Sequence, residues 1–221
     1  MKVFIGVGHG GSDPGAVANG VKEKDLNLSI ALACKDMLEK HGVSVKLSRT
    51  KDENDSISEE VAECNAYAPD LAVSIHNNAG GGDGAEVFYH YGGGKSKALA
   101  ENILSEIVKV GQNSRGAKVR KNSSGKDYYG FIREVSAPSV IVECAFVDNA
   151  SDLQILATES QRKSMGEAIA KGILKTLGIE IQAETGTIYR VQVGAYLVKE
   201  NAVAMQKKIK AVGFDAFIVK E

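Results

Sequence analysis

The sequence predicts an α/β fold in which helices cover the faces of a sheet. Short apolar runs, for example near residues 2–8 and 70–76, have the length of buried strands. Longer segments, for example 24–41, place their apolar residues at helical spacing. Because strands and helices alternate along the chain, the strands are expected to form a sheet with helices packed on it.

The alternation continues through most of the chain. Strands are predicted near 2–8, 43–49, 70–76, 84–91 and 138–147. Helices are predicted near 24–41, 56–68, 95–110 and 159–177. The mixed segment 112–134 is expected to hold one or two short strands, and Gly178 to end the last long helix. These elements define a first domain, residues 1–179.

A smaller unit is predicted at the carboxyl end. Residues 180–186 form a linker, and 187–221 then read as a strand (187–193), a helix (198–212) and a strand (215–219). Chains of fewer than roughly 40 residues rarely bury enough surface to fold alone. This βαβ unit is therefore expected to need a partner surface.

Composition argues against several classes of protein. The 27 basic and 28 acidic side chains nearly balance, whereas a nucleic-acid-binding protein needs a basic excess. No apolar run reaches the roughly 18 residues of a membrane span. The apolar run after Met1 is too short for a signal peptide, so we expect either synthesis without a signal or a chain from which it was removed. The three cysteines include no Cys-x-x-Cys pair, which argues against a disulfide framework.

Two of the four histidines stand at the carboxyl ends of predicted strands. His9 follows the first strand among glycines, and His76 occupies the same place after another strand. Ligands bind at this edge of open α/β sheets, and imidazole is a common metal ligand. A surface turn at His9 is one alternative. A dinucleotide site is another, since Gly6, Gly8 and Gly11 fit Gly-x-Gly-x-x-Gly, but no helical pattern opens directly at these glycines.

Two carboxylates stand out beside the histidines. Glu23 begins the first long helix, where the helix dipole keeps a carboxylate ionised, as a metal ligand must be. Helix capping would be its ordinary role. Glu143 lies inside the strand near 138–147, where an uncompensated charge is costly. An ion pair with a buried basic residue would explain it, but a general base whose pKa is raised by burial fits better.

Together these residues predict metal-assisted amide hydrolysis. Catalytic zinc sites typically use three protein ligands and keep one position for water. Two histidines and one carboxylate would hold the metal. The spare carboxylate would take a proton from the water and pass it to the leaving amine.

Four motifs that contain these residues follow one another along the chain. They are Gly8-His9-Gly10-Gly11-Ser12-Asp13-Pro14-Gly15-Ala16, Lys22-Glu23-Lys24-Asp25-Leu26-Asn27-Leu28, Ser74-Ile75-His76-Asn77-Asn78-Ala79 and Val142-Glu143-Cys144-Ala145-Phe146. Through them, residues 1–178 resemble the amidase-3 family of N-acetylmuramoyl-L-alanine amidases. The resemblance implies a twisted, mostly parallel mixed sheet, zinc held by His9, Glu23 and His76, and Glu143 as the catalytic carboxylate. The implied substrate is the amide between N-acetylmuramic acid and L-alanine in peptidoglycan.

Three further residues are expected near this site. Asn78, Arg115 and Lys118 would either orient the ligands or contact substrate. The stretch from Lys109 to Lys126 holds six basic residues and no acidic one. It would meet the carboxylates of stem peptides, or would be an ordinary solvated face.

The tail carries a second resemblance. Ile188-Tyr189-Arg190-Val191-Gln192-Val193-Gly194-Ala195-Tyr196 resembles the opening of a SPOR domain, a module that binds glycan strands lacking stem peptides. A full SPOR domain has two such halves in a four-stranded sheet, and 187–221 supply one. Two chains are therefore expected to pair their tails in a homodimer. Packing of the tail against its own catalytic domain is the alternative.

These features favour a zinc-dependent phage or prophage endolysin that reaches the cell wall from the cytoplasm through a holin. A secreted autolysin or a sporulation amidase with the same chemistry is an alternative. An inactive cell-wall-binding relative and a zinc peptidase are alternatives from other functional classes.

Overall fold

The structure is a computed structural model that describes residues 1–181, 192–213 and 216–220. The chain divides into two compact units, Met1–Gln182 and Ala183–Glu221. In the part of the chain so described, no helix has the length and apolar character needed to cross a membrane.

A six-stranded mixed sheet forms the centre of the first unit. The strands of this unit are β1 (Lys2–Val7), β2 (Val17–Ala18), β3 (Val21–Lys22), β4 (Ser44–Leu47), β5 (Leu71–Asn78), β6 (Ala85–Tyr89), β7 (Ser114–Lys118) and β8 (Ser139–Phe146). β2 and β3 form a small hairpin, and the others form the sheet in the order β4-β1-β5-β8-β6-β7. Within the six-stranded sheet, β6 and β8 pair antiparallel and the other neighbouring strands pair parallel. The prediction of a mostly parallel mixed sheet is confirmed.

Helices cover both faces of this sheet. They are α1 (Glu23–Lys40), α2 (Ile57–Tyr67), α3 (Gly94–Lys109), α4 (Gly130–Glu134), α5 (Ala150–Leu156) and α6 (Glu159–Leu177). Successive residues of a strand point to opposite faces, so Val3 and Ile5 pack with α1, α3 and α6 whereas Phe4 packs with α2 and α4. The four predicted helices of this unit are found, and the mixed segment 112–134 contains β7 and α4. The short helix α5 was not predicted.

The helix α6 shows why the first layer of helices packs so closely. Thr158 and Gln161 form a capping box at its start, and Gly178 ends it with a φ of 71°, as predicted. Within it, a Cβ added to Gly166 or Gly172 would come within 2.4 Å of the backbone of α1 or α3, respectively. These glycines therefore let α6 lie against both neighbouring helices.

The second unit contains the helix α7 (Lys199–Ala211), close to the predicted helix 198–212. The side chain of Gln206 donates to the carbonyl of Ala216 at 2.8 Å. The predicted strand 215–219 is wrong for 216–219, which form no strand, and 192–193 form none either. A strand requires a hydrogen-bonded neighbour, and the described part of this unit offers none. The other residues of the predicted strand 187–193 and most of the linker lie outside the described residues.

Candidate metal centre

Three side chains converge at the carboxyl edge of the sheet. His9 follows β1, Glu23 begins α1, and His76 lies near the end of β5. One ligand atom from each lies within 4.8 Å of the other two. Because β1 and β5 are parallel neighbours, the two imidazole rings meet edge to face with their centroids 5.1 Å apart. The structure thus brings together the three residues that the sequence predicted as metal ligands.

Glycines allow this close approach. A Cβ added to Gly8 would lie only 2.2 Å from the ring of His76. A Cβ on Gly15 would lie 2.6 Å from both Glu23 and His9. His9 itself has a φ of 61°, an uncommon left-handed conformation for a residue other than glycine. The glycines therefore make room for the cluster, and the dinucleotide alternative lacks its helix, since α1 begins only at Glu23.

The buried carboxylate of Glu23 stands at the centre of the cluster. Its Oε1 accepts the N–H of Asn77 and faces Nδ1 of His76, both at 3.1 Å. Its Oε2 accepts the N–H of Ala16 at 2.9 Å and faces Nε2 of His9 at 3.2 Å. Burial alone would raise the pKa of Glu23, but its contacts with His76 and His9 outweigh burial and lower it. Glu23 is therefore ionised at neutral pH, the form that binds a metal.

The pKa values of both histidine rings are raised, so both favour the protonated form beside Glu23. The contact with Glu23 raises the pKa of His9 to about 9, and Asp13, whose Oδ2 lies 2.7 Å from Nδ1 of His9, adds to the shift. Burial opposes protonation of His76, but the contact with Glu23 still raises its pKa. A divalent cation would supply the positive charge that these protons now supply. Two imidazoles around an ionised carboxylate therefore fit a metal ion such as zinc.

Glu143 lies beside the cluster formed by His9, Glu23 and His76. The parallel register of β5 and β8 sets it directly opposite His76. Its Oε2 is buried and has no hydrogen-bond partner within the described ranges, so the ion pair considered from the sequence is not formed there. Burial raises the pKa of Glu143 to about 7. A carboxyl group that exchanges its proton near neutral pH suits a general base.

Asn78, Arg115 and Lys118 meet at Glu86, which the sequence analysis missed. Nε of Arg115 lies 3.1 Å from Oε2 of Glu86, and Nζ of Lys118 contacts the same oxygen. Nδ2 of Asn78 donates to Oε1 at 2.8 Å. Glu86 lies opposite Glu143 in the β6–β8 pair, so this cluster adjoins the catalytic candidate. A carboxylate inside the apolar strand β6 is the same signal that identified Glu143, and it could have found Glu86.

The buried guanidinium of Arg49 fixes the loops around the site. Only 2% of Arg49 is exposed, and its side chain donates to the carbonyls of Val7, Gly8, Lys24 and Lys51 at 2.8–3.3 Å. These carbonyls belong to the segment that leads to His9, to the start of α1, and to the loop after β4. One side chain therefore ties together the segments that carry two of the three candidate ligands.

Comparison with known proteins identifies the family. The family model described as N-acetylmuramoyl-L-alanine amidase matches residues 3–175. The chain belongs to this family, Amidase_3. A SPOR-domain model matches 145–220, and its first part overlaps β8, α5 and α6 of the amidase unit. The predicted activity, an N-acetylmuramoyl-L-alanine amidase that acts on the cell wall, is confirmed.

Individual relatives support the same assignment. The sporulation-specific N-acetylmuramoyl-L-alanine amidase of Bacillus subtilis is 36% identical over 99% of this chain and 84% of its own length. An endolysin of Bacillus phage SPP1 is 34% identical over 80% of this chain and 66% of its own length. The catalytic domain of CwlV, an N-acetylmuramoyl-L-alanine amidase from Bacillus (Paenibacillus) polymyxa, superposes with a TM-score of 0.73 at 28% identity, covering 81% of this chain and 99% of that one. The α/β fold is thus that of solved amidases.

Proposed function

We propose that this amidase is zinc-dependent and that Glu143 is its general base. The observation that carries the proposal is Glu143 opposite His76, with its buried Oε2 unpartnered among the described residues, beside ligand atoms that lie within 4.8 Å of one another. His9, Glu23 and His76 would hold the metal, a donor set found in catalytic zinc sites. When bound, zinc supplies Lewis-acid polarisation of the amide carbonyl and acidifies water.

The chain's own residues then account for the proton transfers. As water attacks the lactyl carbonyl carbon, Glu143 accepts one of the water protons, and a C–O bond forms. The C–N bond breaks, and Glu143 returns the proton to the nitrogen of L-alanine. The products are the lactyl carboxylate and a free amino terminus. A pKa near neutrality lets one carboxyl both accept and donate this proton.

Metal removal and one isosteric variant test the proposal. Chelation is expected to abolish release of soluble fragments from labelled peptidoglycan, and added zinc to restore it. Glu143→Gln is expected to bind zinc like the wild type but to lose about 10²–10⁴-fold in turnover, the usual contribution of a general base. Glu101→Gln, on the exposed side of α3, is the matched control. Full activity in the chelated protein, or in Glu143→Gln, would contradict the mechanism.

We propose a role in the wall of the producing bacterium, as an autolysin or sporulation amidase. The match to the sporulation-specific amidase of Bacillus subtilis includes the tail, whereas the match to the phage endolysin covers 80% of the chain. The endolysin role expected from the sequence is the second candidate, and the similarity to that endolysin supports it. Transcription that begins with sporulation or stationary phase supports the first role. Transcription only on prophage induction supports the second.

We also propose that the SPOR-like tail, 187–221, binds glycan and pairs between two chains. Support comes from the large apolar side chains that the tail leaves exposed, among them Leu197, Val212 and Phe217. Pairing would bury them and supply the second half of a SPOR module. Sedimentation of the full chain is expected to show a dimer that Leu197→Ser/Phe217→Ser converts to a monomer. A wild-type monomer at all concentrations would contradict pairing.

A further inference from the structure

We propose that Glu86 positions Arg115 and Lys118 as a carboxylate-binding pair that recognises the second residue of the stem peptide. The inference rests on the proposed function, because it requires the lactyl–L-alanine amide to reach Glu143. It assigns a substrate contact, and with it a specificity, to a cluster beside the catalytic carboxyl.

The cluster has more positive than negative charge. The side chain of Glu86 is 7% exposed, whereas those of Arg115 and Lys118 are 37% and 36% exposed. Burial would raise the pKa of Glu86, but its contacts with Lys118 and Arg115 lower it, so Glu86 is ionised. One buried anion therefore holds two half-exposed cations, and one positive charge is left uncompensated within the cluster.

The geometry of Arg115 leaves its outer edge available. Its Nε donates a hydrogen bond to Glu86. Its guanidinium lies over the ring of Phe146, with Cζ 4.9 Å from the ring centroid. Neither Nη atom has a hydrogen-bond partner among the described residues. A guanidinium fixed on one side and open on the other is suited to bind a carboxylate, and a neighbouring ammonium strengthens that interaction.

The distance between the Glu86 cluster and the catalytic carboxyl of Glu143 matches the length of one residue of the stem peptide. Glu86 and Glu143 are directly opposite on neighbouring antiparallel strands, so their Cβ atoms lie about 4.5–5.5 Å apart. One extended residue spans about 3.3–3.6 Å. The cations held by Glu86 are therefore within reach of the residue that follows L-alanine. In peptidoglycan this is a D-glutamate joined through its side chain, whose α-carboxyl is free in some walls and amidated in others.

Two synthetic substrates test the inference. They are N-acetylmuramoyl-L-alanyl-γ-D-glutamyl-L-lysine and the same compound with the glutamate α-carboxyl as a carboxamide. The zinc-loaded full chain is expected to prefer the carboxylate by about tenfold or more in kcat/KM, chiefly through KM, because a charge-assisted pair is lost with the amide. Arg115→Gln/Lys118→Gln is expected to remove the preference, because kcat/KM should fall more for the carboxylate substrate than for the carboxamide. Lys126→Gln, an exposed lysine of the same basic stretch, is the control and should keep it.

Glu86→Gln separates positioning from direct contact. It retains both cations but removes the anion that holds them, so the ratio of kcat/KM for the carboxylate to kcat/KM for the carboxamide is expected to fall. A ratio equal to that of the wild type would show that Glu86 does not position the pair. Equal kcat/KM for both substrates in the wild type, or an equal loss on both in the double variant, would overturn the inference. If neither substrate is cleaved, the proposed function is wrong instead. The pair is then tested by calorimetric titration of Glu143→Gln with L-alanyl-γ-D-glutamate and its carboxamide, of which the carboxylate must bind more tightly.

Discussion

Glu143 lies directly opposite His76 across the parallel pair of β5 and β8, with its Oε2 buried and unpartnered in the described part of the chain. A buried carboxylate is usually paired, because leaving it without a hydrogen bond costs free energy. This cost is the expected consequence of placing the proposed proton acceptor beside the candidate metal centre. The relationship leads to predictions about stability as well as activity.

Glu143→Gln is expected to stabilise the metal-free protein by about 1–3 kcal/mol near pH 8. Burial raises the pKa of Glu143 from 4.5 to about 7 in the folded state. Above pH 4.5 the Glu143 carboxyl therefore ionises more readily in the unfolded chain than in the folded one. The free energy of unfolding consequently falls as the pH rises to about 7. The gain should be smaller near pH 5. Denaturant unfolding at the two pH values measures the gain in stability. A gain that is independent of pH would show that burial does not raise the pKa of Glu143.

Zinc binding to the metal-free protein near pH 7.5 is expected to release about one proton or more. The pKa of His9 is raised to about 9, so its ring is mostly protonated at that pH and must become neutral to bind a metal. Zinc affinity should therefore increase as the pH rises toward about 9. Calorimetry in buffers with different ionisation enthalpies counts the protons. A binding enthalpy that is the same in every buffer would contradict protonation of His9.

Asp13→Ala is expected to weaken zinc binding by roughly 10–100-fold, the usual effect of losing a residue that orients a metal ligand. Asp13 lies 2.7 Å from Nδ1 of His9, which leaves Nε2 directed at the cluster. Asp25→Ala, at an exposed position of α1, is the control. Competition with a chromogenic chelator gives both affinities. If the two variants bind zinc equally well, Asp13 does not orient the ligand.

Gly8→Ala is expected to abolish zinc binding by displacing the ring of His76, since the new Cβ would lie 2.2 Å from that ring. The control is Gly20→Asn, at a position with a φ of 77° and no atom within 4 Å of an added Cβ. Asparagine tolerates that conformation. Zinc content and thermal unfolding are measured for both variants. Normal zinc content in Gly8→Ala would mean that the backbone moves to accommodate the methyl group.

The sequence predicted the parts of the site that depend on strands and burial. His9 and His76 were found because they end apolar strands, and Glu143 because it interrupts one. Asp13 was not found, because its contact depends on the turn that follows His9. The direction of β6 also could not be predicted, since alternating strands and helices do not specify which neighbour a strand pairs with. The predicted tail strand is wrong at 216–219 for a related reason, because strand propensity has no effect without a neighbour to pair with.

Product analysis of purified peptidoglycan tests the central claim most directly. After digestion with the zinc-loaded full chain, mass spectrometry should find stem peptides with a free L-alanine amino terminus and glycan strands with an intact lactyl group. Chelator should prevent both, and zinc should restore them. New termini at any other bond, or the same products in the presence of chelator, would contradict a zinc-dependent amidase built on His9, Glu23, His76 and Glu143.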